Sequence, residues 1–202
     1  MIKHWTDIKT GDRLFKDTDF NDKGKNAFMK FVTWAISGIQ NLRKENRGKN
    51  LGDGDDHTET FLWIKGRLFV ASATIDKGVR PMLFSRWIKQ EGNPKIEIIR
   101  RRIPYTEEEK DIIVEMAIED FGLPYALIPG AKALFGEDKK GNIDQVEADL
   151  ETRGMICSEA AARWDIDVYD WPEMLPKRLK ELYLQNDASV AFFGRGLELF
   201  NL

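Results

Sequence analysis

Cysteine occurs once in this 202-residue chain, at Cys157, and histidine twice, at His4 and His57. A thiol attacks a carbonyl carbon as its thiolate, a form that a helix N-terminus and a neighbouring imidazole both favour. Cys157 stands where Gly154-Met-Ile gives way to the helix-forming run Cys157-Ser-Glu-Ala-Ala-Ala-Arg163. His57 opens a β-prone run, whereas His4 lies in a terminus of the kind that frays, so His57 is the better candidate base. Residue types alone leave a bland reading open. A lone cysteine is among the most buried residue types, and His57 could be a loop-edge histidine bonded to solvent. One cysteine excludes an internal disulfide, and one cysteine with two histidines cannot form a four-ligand Cys/His zinc site. No metal or other cofactor is expected.

These residues need elements to carry them. His57-Thr-Glu-Thr-Phe-Leu-Trp-Ile64 and Arg67-Leu-Phe-Val-Ala-Ser-Ala-Thr74 are strand-like runs separated by Lys65-Gly66, the spacing of a two-residue hairpin. If Ile64 faces Arg67, then Glu59 lies opposite Ser72 and His57 opposite Thr74, with all four side chains on one face. Upstream, Ile8 to Phe15 reads as a turn feeding a strand. From Asp22, the residues Phe28, Phe31, Val32, Ala35, Ile36, Ile39 and Leu42 fall on one helical face. Trp34 stands off that stripe as a candidate lipid or acyl-chain contact. A polar, glycine-bearing loop follows to Asp56. A third strand is expected at Lys95–Arg102, its arginines along a solvated edge. Thr106 with Glu109 has the form of a capping box and starts a helix from Glu107 to about Phe121, stopped by Gly122. Residues 130–153 are weakly patterned, and Asp138 to Asp144 lacks the spacing of an EF-hand loop. Pro176 suits a first helical turn. After Ser189 an extended segment with turns at its glycines is expected.

Composition bounds the function. A net charge of -3 gives no broad attraction to nucleic acid. The N-terminal stretch has no apolar signal core, and no run approaches the ~20 apolar residues of a membrane helix. A cytoplasmic protein, or one delivered by a phage or as an effector, is the expectation.

The order Gly11-Asp12, His57 at the start of a hairpin, Ala71-Ser-Ala73 then Gly78-Val-Arg80, Gly122-Leu-Pro-Tyr125, and finally Cys157-Ser-Glu159 resembles the circularly permuted branch of the NlpC/P60 papain-like superfamily, the YaeF/YiiX-like proteins. The resemblance spans about Ile8 to Leu182. It implies an α+β fold, with an antiparallel sheet or open barrel packed against the Cys157 helix. A single domain over 1–202, with a helical insertion at about 22–45, would carry it. It further implies that Cys157 is the nucleophile and His57 the base, with the Cys157 backbone N–H helping to hold the oxyanion. The histidine-orienting position falls on Ser72. A serine accepts an imidazole hydrogen bond but supplies no charge, so the dyad is weakly activated unless Glu59 substitutes. Glu59 is otherwise an exposed strand carboxylate or a substrate contact. Tyr125, in the Gly-x-Pro-Tyr motif, borders the substrate cleft or is a buried aromatic. Ala126 stands where the family often has aspartate. Asp12 belongs to a turn and Glu159 to its own helix N-terminus.

The reading that follows is a cysteine-dependent hydrolase of an amide or ester bond, acting through an acyl-enzyme on a peptide, a peptidoglycan-like or a lipid acyl substrate. The alternatives are a catalytically degenerate papain-like binding module and a structural protein of a phage or secretion particle.

Overall fold

Lys65 and Gly66 both take positive φ, 48° and 73°, the two left-handed residues that a tight hairpin turn matched to strand twist requires. They join β2 (His57–Ile64) to β3 (Arg67–Thr74), paired from Ile64↔Arg67 to Thr60↔Ala71 as the two-residue turn dictates. The computed structural model describes residues 1–16, 57–75, 77–126, 155–165, 176–186 and 188–200. The expected insertion at 22–45 with Trp34, the polar loop after it and the 138–144 stretch lie outside the described residues.

Around the hairpin an open antiparallel sheet runs in the order β4-β3-β2-β1-β5-β6, with β1 at Arg13–Lys16, β4 at Gly78–Leu83, β5 at Lys95–Arg101 and β6 at Ala188–Arg195. The short β1 is central: Lys16 lies across from His57 on one side and from Ile96 on the other. The strand at Gly78–Leu83, which the sequence reading did not include, forms at the sheet edge, where the missing ladder donor of Pro81 is tolerated. The arginines of β5 do not line a solvated edge, because β6 from the far end of the chain pairs outside it. Arg100 instead holds Asp12, at 2.8 and 2.6 Å.

Among the described residues four α-helices accompany the sheet: α1 (Phe84–Gln90), α2 (Glu107–Asp120), α3 (Cys157–Arg163) and α4 (Pro176–Asn186). The box that starts α2 is present, with Glu109 N–H donating to Thr106 Oγ1 at 3.2 Å and Thr106 N–H to Glu109 Oε2 at 2.6 Å. No helix among the described residues is long and apolar enough to cross a membrane.

Strand alternation gives the sheet two apolar faces. Phe15, Leu62, Ala71, Ala73 and Ile99 pack with α2, α3 and α4. Their neighbours Leu14, Phe61, Val70 and Ile98 pack with α1, Ile2, Ile8 and Leu199. The small side chains Ala71 and Ala73 face Ala160, Ala161 and Ala162 of α3 within one buried cluster, which lets the Cys157 helix lie close to β2 and β3.

The far end of α3 is anchored by charge. The buried Arg13 guanidinium donates to the Trp164 carbonyl at 2.8 Å and lies 3.3 Å from Asp165, a cation where a helix C-terminus favours one. It also reaches Thr60 Oγ1 and the Tyr183 hydroxyl. Asp120 of α2 accepts from Arg163 Nε at 2.9 Å and from the Trp164 indole at 2.8 Å. Removing one partner of a buried pair strands the other charge, at about 3–5 kcal/mol. Arg13→Met is therefore expected to lower the free energy of unfolding by about that amount, measured by urea denaturation.

Candidate active site

β2 begins with His57 and α3 begins with Cys157, and the two starts meet: the thiol lies within hydrogen-bonding reach of the imidazole. His57 Nε2 has two oxygen neighbours, Glu59 Oε1 at 3.1 Å and Ser72 Oγ at 3.2 Å. Ser72 gives its own hydroxyl proton to the Thr58 carbonyl, at 2.9 Å, so it faces the imidazole as an acceptor. Nε2 therefore carries a proton shared between Ser72 and Glu59, and Nδ1 is the nitrogen left for the thiol. This tautomer follows from the hydrogen-bond network.

Of the two acceptors only Glu59 brings charge. It is 4% exposed, and burial alone would raise its pKa. Burial is the largest single influence, but together the opposing effects outweigh it and hold the carboxyl below the usual glutamate range: first the Lys16 ammonium, then the His57 hydrogen bond and charge, then the Trp87 indole. Lys16 Nζ lies 3.6 Å from Glu59 Oε1 and 2.5 Å from Glu91 Oε2. It sits 4.9 Å above the Trp87 ring, a cation–π distance. For His57 too, burial is the largest single influence and would push the pKa down. Cys157 and then Glu59 outweigh it, and the imidazole is pushed up to about 9.

The other expected site residues can now be placed. The backbone of Tyr125 forms a parallel bridge with Met155, and Ala126 N–H donates to the Met155 carbonyl at 3.2 Å. The Gly-x-Pro-Tyr segment is thereby pinned beside the residues that lead into Cys157. The Tyr125 pKa is raised, by burial first and then by the charges of Cys157 and Glu159. Glu159 closes its own helix start, accepting from Ile156 N–H at 3.0 Å. His4 lies outside the cluster, bonded to Thr6 and packed on Trp5. Glu59 is not the exposed strand carboxylate that one reading allowed. Lys16, Trp87 and Glu91 were not singled out in the sequence; they come from β1, from α1 and from just beyond α1. The alternation Lys16, Leu14 on one face of β1 was the only local signal available.

No family model matches this chain, and no curated protein does. Among solved structures, the crystal structure of the metalloprotein yiiX from Escherichia coli O157:H7 matches with a TM-score of 0.51 at 13% identity, covering 92% of this chain and 97% of that one. The fold is similar to that of yiiX. Although yiiX is described as a metalloprotein, the described residues here bring together no group of three or more His, Cys, Asp or Glu side chains suited to a metal ion.

A folded-state pKa above the unfolded value of about 6.5 gives stability that is complete below about pH 6.5 and is lost as pH rises through about 9. The His57 imidazole is expected to titrate near 9 by 15N NMR. Cys157→Ser should lower that midpoint, because Cys157 is the larger of the two influences that raise it.

Proposed function

We propose that the protein is a cysteine-dependent hydrolase of an amide or ester bond, with Cys157 as nucleophile, His57 as acid–base and Glu59 as the group that orients and charges the imidazole. The observation that carries this reading is the contact between a buried carboxylate and Nε2 of the imidazole whose protonation Cys157 also influences. It also favours a hydrolase over a degenerate binding module, whose ground was an uncharged third position at Ser72. Membership of the permuted papain-like NlpC/P60 group is part of the same proposal. It is supported by the order of the motifs and by the likeness in fold to yiiX.

The chemistry follows from the three side chains. With the imidazole titrating near 9, His57 already holds the proton of the Cys157 thiol at neutral pH, and Cys157 Sγ forms a bond to the substrate carbonyl carbon as the thiolate. The Cys157 backbone N–H meets the oxyanion. When the C–N or C–O bond breaks, the imidazolium returns its proton to the leaving amine or alcohol, and a thioester remains. Water then gives a proton to His57 and attacks the thioester, releasing a carboxylic acid and the thiol. Throughout, Glu59 stabilises the imidazolium without taking its proton. Tyr125 borders the cleft. A peptide, a peptidoglycan-like stem or a lipid acyl chain is the substrate class considered.

Iodoacetamide alkylation of Cys157, followed by mass spectrometry, tests the reading. His57→Ala is expected to slow it about 100-fold, the lower end of what a positioned base contributes. Glu59→Gln should cost at least about tenfold, and Ser72→Ala less than that, because only Glu59 supplies charge. An alkylation rate indifferent to His57 contradicts the proposal.

A further inference from the structure

The antiparallel pairing of β1 with β2 sets Lys16 across from His57 and diagonal to Glu59. On a shared face such diagonal positions lie within reach of a long side chain. Lysine is rarely buried unless paired, yet Lys16 is 7% exposed. It is held there on three sides: by Glu59 at 3.6 Å, by Glu91 at 2.5 Å and by the Trp87 ring beneath it. Trp87 serves twice, since its ring faces the ammonium and its indole adds to the influences that lower the Glu59 pKa.

We propose that Lys16 is a positioning residue of this site, its ammonium holding the Glu59 carboxylate against His57 Nε2. This rests on the hydrolase reading above and deepens it. A carboxylate can polarise an imidazole only while it is ionised, and a buried glutamate without a cation tends to take up a proton instead. The charged and titratable groups around Glu59 are His57 on its own strand, Lys16 on β1 and Glu91 just after α1; Ser72 on β3 and Trp87 on α1 add neutral hydrogen-bonding groups. Of these only Lys16 carries a fixed positive charge. Glu91 pairs with the same ammonium at 2.5 Å. Lys16 thus acts on the thiol through two intermediaries and touches neither substrate nor sulfur.

The test uses the full chain as wild type, Lys16→Met and Lys16→Arg, with two readouts: the 13C carboxyl shift of Glu59 against pH, and the acid limb of Cys157 alkylation by iodoacetamide. An opposite charge within about 4–6 Å lowers a carboxyl pKa by about 1–3 units. In Lys16→Met the Glu59 midpoint and the acid limb should therefore both rise by about one unit or more, while Lys16→Arg should keep both near the wild-type values. Unchanged profiles in folded Lys16→Met overturn the proposal, and so does a folded Lys16→Arg that behaves as a neutral variant should. A wild-type Glu59 carbon titrating at or above the ordinary value of about 4.3 overturns it without any variant. His57→Ala separates the two levels. If alkylation ignores His57 the hydrolase reading fails, whereas the Glu59 carbon still reports on Lys16.

Discussion

A carboxylate has been taken out of water and placed on the back of an imidazole, and most of the site is arranged around that fact. Burying Glu59 is unfavourable unless its charge is met, and two donors meet it: the Lys16 ammonium and His57 Nε2. The first, with a smaller contribution from Trp87, leaves the carboxylate ionised, and the second passes its influence to the thiol. Ser72 shares the Nε2 proton but adds no charge, so it refines the ring's orientation and Glu59 sets its electrostatics.

The scaffold explains how such a cluster keeps its geometry. His57, Glu59 and Ser72 stand on one hairpin whose register is fixed by the Lys65-Gly66 turn. Cys157 arrives from a different part of the chain, on a short helix whose alanine face lies against the alanines of β3. A seven-residue helix has little stability of its own. Its position depends on packing and on anchors at its far end: Arg13 on the Trp164 carbonyl, and Asp120 on Arg163 and the Trp164 indole. β1 connects the two ends of the argument, since Arg13 secures the cysteine helix and Lys16 secures the glutamate.

What could be read in the sequence was local. The hairpin was legible because Lys-Gly between two β-prone runs admits few alternatives, and α2 because Thr106 and Glu109 satisfy each other's backbone. The strand at Gly78–Leu83 was hidden by Pro81, and the inner place of β5 by a partner strand from the far end of the chain. The Cys157 and His57 pairing was suggested by the order of motifs, since no spacing rule brings residues so distant into contact. Lys16 and Glu91, 75 positions apart, were invisible for the same reason. A buried lysine looks like any surface lysine until the fold supplies its partners. Ser72 was found by counting through the hairpin, and the same count put Glu59 opposite it on the His57 face. Which of them carries the electrostatics is decided by burial and by Lys16, and neither is written in local pattern.

The most direct measurement is intact-mass spectrometry of the protein after brief mixing with an activated ester such as p-nitrophenyl acetate. The account predicts a single acetyl adduct, located on Cys157, that forms and then disappears in the wild type. It should form far more slowly in Glu59→Gln and be absent in His57→Ala. An adduct that never reaches Cys157, or one that forms equally well without His57, would contradict a thiol driven by a carboxylate-backed imidazole.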